Sequence, residues 1–192
     1  MNTDEIKKKL TGKLKHKRYE HTIGVAYTAA ALAMRYDPAL MDKALRAGLL
    51  HDCAKYMTDD EYLSFCKIHD IKLSQAELAE PGLIHAKAGV YIAANEYEET
   101  DTSVLEAIRW HTTGKPDMSL LEKIVFTADY IEPARDHLEN LPDLRRLAFE
   151  DLDMCIVKIY EHTLSYINSS GKALDEITTE AYTFYRKKCC DR

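Results

Sequence analysis

The chain has 192 residues, of which 46% are apolar and 30% charged. That length fits one domain, long enough to bury a core without staples and too apolar to stay disordered. Lys plus Arg is 26 against 32 Asp plus Glu, a net charge of −6. This excludes a general nucleic-acid binder and leaves room only for a local basic pocket.

The opening Met1 to Lys9 carries no apolar signal region. The longest weakly apolar stretch, Val25 to Met34, is about half a membrane span. Both predict a cytoplasmic protein that makes no membrane contact. The five cysteines (53, 66, 155, 189 and 190) are odd in number and match no metal spacing, which suits a reducing compartment. Cys189-Cys190 reads as part of an untethered tail.

Gly (7) and Pro (5) are scarce, and such sparse punctuation favours helices over a turn-rich β fold. Periodicity and end signals predict helices over 4–14, 18–36, 38–54, 59–68, 75–80, 83–98, 103–112, 120–132, 143–168 and 175–188. Asp37-Pro38 reads as an N-cap and the first helical residue. Capping boxes mark four starts: Thr58/Glu61, Ser74/Glu77, Ser103/Glu106 and Ser119/Glu122. No segment alternates long enough to be a strand, and no fixed-period repeat occurs. The expected class is all-α, one compact orthogonal bundle of about 8–10 helices. Helix 143–168 and the aromatic residues Tyr160, Tyr166, Tyr182, Phe184 and Tyr185 serve either the core or a dimer face.

The chemistry lies in histidine and aspartate. With 8 His and 16 Asp, roughly 0.7 His-Asp dipeptides are expected by chance. Two occur, so context must choose between them. His51-Asp52 lies among Ala47-Gly48-Leu49-Leu50 and Cys53-Ala54, where both side chains are costly to bury unless paired or metal-bound. His69-Asp70 precedes a capping box and reads as a solvated loop. His21 shares a helical stripe with Val25, Ala29 and Leu32. His85 sits with Ala88, Gly89 and Ile92, and His111 follows Leu105 and Ile108. Taken singly, each reads as a satisfied core histidine. Asp129 lies mid-helix beside Ile124, Val125 and Ala128, where a lone carboxylate is rarely buried. Together, four histidines and two aspartates point inward from five predicted helices, and one convergent metal centre is the economical explanation. Imidazole and carboxylate without thiolate suit Fe, Mn, Co, Ni or Zn. The small Ala47, Gly48 and Ala54 would let helices approach closely there.

The segments Arg18-Tyr19-Glu20-His21-Thr22, Leu49-Leu50-His51-Asp52-Cys53-Ala54-Lys55, Leu83-Ile84-His85, Ile108-Arg109-Trp110-His111-Thr112-Thr113-Gly114 and Asp129-Tyr130-Ile131-Glu132-Pro133-Ala134-Arg135 carry a family likeness. Their order and spacing resemble the HD-domain metal-dependent phosphohydrolases, and among them the YqeK-type symmetrical bis(5′-nucleosyl)-tetraphosphatases, over about residues 14–185. The resemblance implies an HD-type fold and hydrolysis of diadenosine tetraphosphate to two ADP. It implies that His21, His51, Asp52 and Asp129 hold iron. His85 and His111 would then either ligate a second ion, with Asp52 bridging, or face the substrate phosphates. Arg18, Lys55, Thr112, Thr113 and Arg135 would contact the phosphates, and the chain would form a homodimer. Many relatives carry a His-Pro motif before the last helix; here the segment is Lys172-Ala173-Leu174-Asp175-Glu176-Ile177-Thr178, so no nucleoside contact is carried over.

Elementary chemistry agrees with that reading. Attack on a polyanionic phosphoanhydride meets charge repulsion, and a metal both lowers the pKa of bound water and polarises the phosphoryl oxygen. The expected reaction is attack of metal-bound hydroxide on an inner phosphorus, with Asp52, Lys55, His85 and His111 as the catalytic set. Lys55 lies three residues after Asp52 and Arg18 three before His21, so each shares a helical face with a candidate ligand. His85 or His111 would protonate the leaving oxygen if neither binds metal. Two rivals stand beside this reading. One is a phosphatase or phosphodiesterase acting on another nucleotide, and the other is a non-catalytic nucleotide-sensing module.

Overall fold

The computed structural model describes residues 1–136 and 140–191. Among these are eleven α-helices and no strand: α1 (Thr3–Lys13), α2 (His16–Tyr36), α3 (Met41–Leu50), α4 (Asp59–Ile68), α5 (Gln75–Ala79), α6 (His85–Glu96), α7 (Thr102–Trp110), α8 (Leu120–Ile131), α9 (Leu141–Glu150), α10 (Leu152–Ser170) and α11 (Glu176–Cys190). The all-α expectation is met. Helix α2 lies at the centre, packed on α3 and α8, while α7 joins α6, α3 and α8 around it. Their apolar faces, including Val25, Leu32, Leu49, Ile92, Ile108 and Ile124, form one continuous core.

Capping chemistry sets most helix starts. The Thr58/Glu61, Ser74/Glu77 and Ser119/Glu122 boxes all form, and Asn2/Glu5 adds another at α1. The Ser103/Glu106 box does not form. Asp101 caps α7 instead, accepting from Ser103 N–H at 2.8 Å, and Glu106 accepts from Trp110 Nε1 at 2.9 Å. The helix starts two residues earlier than the box, and the Ser103 hydroxyl, with its own N–H, is taken up by the Asp101 carboxylate.

Three predicted helices are divided. The 38–54 span begins as a 3₁₀ turn, Pro38–Leu40, capped by Asp37, and α3 then stops at Leu50. Beyond it the chain tightens into three-residue turns, Cys53 N–H to Leu50 O (3.1 Å) and Lys55 N–H to Asp52 O (2.9 Å). The 83–98 span likewise starts as a 3₁₀ turn over Pro81–Ile84. The 143–168 span breaks at Asp151, whose extended backbone (φ −143°, ψ 98°) lets its carboxylate cap α10 at Met154 N–H, 3.0 Å away.

The aromatic residues divide between core and surface. Tyr160 and Tyr185 are fully buried, Tyr182 and Phe184 are half-buried, and Tyr166 is exposed. The two buried tyrosines thus belong to the core and not to a dimer face. They also anchor the turn after α7: Tyr160 donates to Thr113 O (3.1 Å), and Tyr185 accepts from Met118 N–H (2.8 Å). Gly114 is needed between them. Its φ of +62° favours glycine, and an added Cβ would collide with the Tyr160 hydroxyl.

Candidate metal centre

Five segments deliver the six predicted ligands to one place. His21 sits one turn into α2, His51 and Asp52 in the turn closing α3, His85 at the first residue of α6, His111 just past α7, and Asp129 near the end of α8. All six side chains are buried or nearly so. Gly48 makes this possible. A Cβ there would lie 2.6 Å from Ala26 Cα, so only glycine lets α3 press its end against α2. The imidazole rings then meet edge to face, with centroids 5.4 Å apart for His21 and His51, 5.0 Å for His51 and His111, and 4.9 Å for His85 and His111.

Three of the rings are oriented in the same way. Nδ1 of His51, His85 and His111 each meets the carbonyl three residues upstream: Gly48 (2.7 Å), Gly82 (2.6 Å) and Ile108 (2.7 Å). A carbonyl only accepts, so each Nδ1 must carry a proton and each neutral ring turns a bare Nε2 inward. His21 differs, because its Nδ1 meets Glu132 Oε1 at 3.0 Å.

The inward atoms converge on the two aspartates. His21 Nε2 lies 2.9 Å from Asp129 Oδ1 and 3.8 Å from Asp52 Oδ2. His51 Nε2 lies 3.4 Å from Asp52 Oδ2 and 3.8 Å from Asp129 Oδ1. Both Nε2 atoms are buried and neither makes a hydrogen bond. An unpaired buried polar atom costs about 1–3 kcal/mol, and lone pairs aimed at carboxylates call for a cation between them. Two groupings, His21/His51/Asp129 and His51/Asp52/His111, bring their donor atoms within 4.8 Å of one another. These residues fit a divalent metal of the nitrogen- and oxygen-loving kind.

Charge is unevenly distributed. Burial opposes ionisation of Asp52, but His51, His85 and Lys55 hold its carboxyl well below the usual range. Asp129 is likewise held low against burial by His21, His51 and Arg135. Burial pushes His51 down, yet the nearby Asp52 and Asp129 outweigh it and leave the imidazole raised. His85 and His111 go the other way. Burial lowers both, helped by Lys55 at His85 and by His51 at His111, which falls to about 4. Their Nε2 atoms are 2.9 Å apart, and the Thr112 hydroxyl lies 3.1 and 3.0 Å from them.

The cationic residues form the rim. Arg18 donates to Asp52 Oδ2 at 2.7 Å, and Arg135 donates to Asp129 Oδ1 at 3.1 Å. Both line a cleft of about 540 Å³ that opens over His21 and also includes Lys15 and Lys17. Lys55 is half-buried, its ammonium pKa is lowered by desolvation, and it donates to Gly82 O at 3.4 Å. Thr113 stands apart, its hydroxyl donating to Gly114 O at 3.1 Å. His69 lies outside the site, half-buried at the end of α4 with exposed Asp70 after it, and one side of its ring packs on Phe65 and Tyr91 with centroids 4.4 and 4.0 Å away. The 172–178 segment is tied to α5 through Ser74, which donates to Asp175 at 2.9 Å. Glu132, the residue just past α8, turns its carboxylate back to His21, a contact that no local pattern in the Asp129–Arg135 segment signals.

Comparison with known proteins supports this assembly. Residues 18–134 match the HD domain family. A symmetrical bis(5′-nucleosyl)-tetraphosphatase of Halalkalibacterium halodurans is 40% identical over 86% of this chain and 87% of its own. One from Bacillus subtilis is 35% identical over 96% and 97%. A crystal structure of a predicted HD superfamily hydrolase involved in NAD metabolism, from Clostridium acetobutylicum, superposes with a TM-score of 0.93 at 36% identity, covering 98% of both chains.

Proposed function

The chain belongs to the HD domain family, and we propose that it is a metal-dependent symmetrical bis(5′-nucleosyl)-tetraphosphatase, hydrolysing diadenosine tetraphosphate to two ADP. The observation that carries this is the convergence of four histidines and two aspartates with the His21 and His51 Nε2 atoms buried and unbonded. When bound, a metal here supplies a water of lowered pKa and a Lewis acid for the phosphoryl oxygen.

His21, His51, Asp52 and Asp129 are the proposed holders of that metal, and iron suits their donor set. The five cysteines take no part. Cys53, the one beside the cluster, is buried, donates to Gly89 O at 3.4 Å, and has a thiol pushed up by burial. His85 and His111 are the proposed ligands of a second ion, with Asp52 shared. Two neutral rings with Nε2 atoms 2.9 Å apart repel unless a cation or donor intervenes, and one Thr112 hydroxyl proton serves only one of them. Bare imidazole lone pairs would also repel phosphate.

The substrate enters over the rim. Arg18 and Arg135 present planar forks suited to phosphate oxygens, while Lys15 and Lys17 extend the positive lip for the distal phosphates. Lys55, half-buried three residues after Asp52, offers a compact charge for the oxygen that becomes the ADP leaving group. Thr112 holds the rim of the His85–His111 pair, and Thr113 holds the turn that positions it.

The proposed setting is the cytoplasm; no helix among the described residues is long and apolar enough to cross a membrane. The proposed assembly is a homodimer, for which exposed Tyr27, Met34 and Tyr166 offer apolar contact. The test is anaerobic purification followed by diadenosine tetraphosphate turnover. ADP as sole product, lost on chelation and restored by Fe(II), is expected. AMP plus ATP would overturn the symmetrical assignment, and bound metal without turnover would favour the sensor reading.

A further inference from the structure

Glu132 is buried, 111 residues from His21 in sequence, and outside the candidate ligand set. Its two oxygens are both engaged. Oε1 lies 3.0 Å from His21 Nδ1, and Oε2 accepts from Ala134 N–H at 2.6 Å. The surroundings leave the carboxylate no other place. A Cβ on Gly24 would sit 2.5 Å from Oε2, so the facing position on α2 is empty only because it is glycine. Arg145 grips the backbone on either side, donating to Ile131 O (2.8 Å), Glu132 O (2.9 Å) and Arg135 O (2.8 Å). The other three histidines of the centre use backbone carbonyls; His21 alone is given a charged acceptor.

We propose that Glu132 is the positioning residue of the metal centre, fixing His21 with its proton on Nδ1 and its Nε2 free to ligate. The inference rests on the metal-centre reading and adds a residue to it. The chemistry is specific to a carboxylate. Glu132 faces two donors, the Nδ1–H of His21 and the Ala134 amide, whose proton cannot move. A glutamine has one acceptor oxygen and one NH₂. With its oxygen on Ala134, the NH₂ faces Nδ1 and selects the opposite tautomer, with the proton on Nε2, where it blocks ligation. A carboxylate on the far nitrogen also makes the imidazole a stronger donor.

The test compares wild type, Glu132→Gln and Gly24→Ala, the last displacing the carboxylate without removing it. Metal-free proteins are titrated with Mn(II) by calorimetry, and the His21 ring nitrogens are read by ¹⁵N NMR. Expected is a roughly 10–100-fold weaker Mn(II) affinity in both variants. The His21 Nδ1 signal should change from protonated in wild type to unprotonated in Glu132→Gln. An unchanged affinity with a protonated Nδ1 in folded Glu132→Gln would overturn the proposal. If that variant does not fold, wild-type affinity in Gly24→Ala overturns it. Wild type that binds no Mn(II) would instead defeat the metal-centre reading, and the Nδ1 signal would still decide the role of Glu132.

Discussion

The two halves of the histidine cluster are built on opposite electrostatic terms. His21 and His51 lie among carboxylates: Asp129 and Glu132 flank the first, and Asp52 and Asp129 hold the second raised against burial. His85 and His111 are buried with less negative charge nearby, and each is lowered further by a neighbouring positive group. Each Nδ1 of the second half meets only a backbone carbonyl. The same residue type is thus made a charged-shell ligand on one side and a neutral lone-pair donor on the other. The first half attracts a cation by charge, while the second needs one to separate two facing lone pairs. That asymmetry orders the strength expected of each half.

Breaking the charged half should have the largest effect. His51→Ala, which removes a donor common to both groupings, should abolish metal binding and lower kcat/KM by about 10³-fold or more. Elemental analysis beside turnover checks it, and full metal content with full activity would remove His51 from the ligand set. His111→Ala addresses the neutral half. It should halve the metal content while leaving the first ion in place, with kcat down by about 10²–10³-fold. Unchanged stoichiometry would return His111 to a proton-donor role.

The rim comes next. Arg18→Ala should raise KM by roughly 10–100-fold, the value of a charge-assisted contact of about 1.5–3 kcal/mol. Arg18→Lys should recover only part of it, because an ammonium lacks the planar fork. An equal loss in both variants would mean that Arg18 serves only to neutralise Asp52. The smallest effect lies at the far end of α7, the helix that leads into His111. Lys43 and the Ser103 contacts lower Asp101 to about 2, below its unfolded value near 4. Its stabilisation is therefore present above about pH 4 and lost as pH falls through 2. Asp101→Ala should cost about 1 kcal/mol at neutral pH. Thermal melts of the two proteins should converge across that acid window, and a constant gap would show that the carboxylate charge contributes nothing.

What the sequence made legible follows the range of each interaction. Helix α4 matches its predicted span because the Thr58/Glu61 box and the apolar stripe are local. His51-Asp52 stood out because two polar side chains in an apolar run demand a partner. The break at Asp151 was hidden, since Glu150-Asp151 reads as exposed helix and only the backbone angle shows the cap. Glu132 was hidden for a different reason: its partner lies on α2, and its place depends on the missing Cβ of Gly24 and the reach of Arg145. Positions fixed by contacts between distant segments carry no local signal.

The buried histidines and aspartates together form a site built for a metal ion. Crystals of anaerobically Fe(II)-loaded protein, measured on both sides of the iron absorption edge, test it most directly. An anomalous peak is expected within ligating distance of His21 Nε2, His51 Nε2 and Asp129 Oδ1. A loaded crystal with no peak there, or with its iron on surface groups alone, would contradict it.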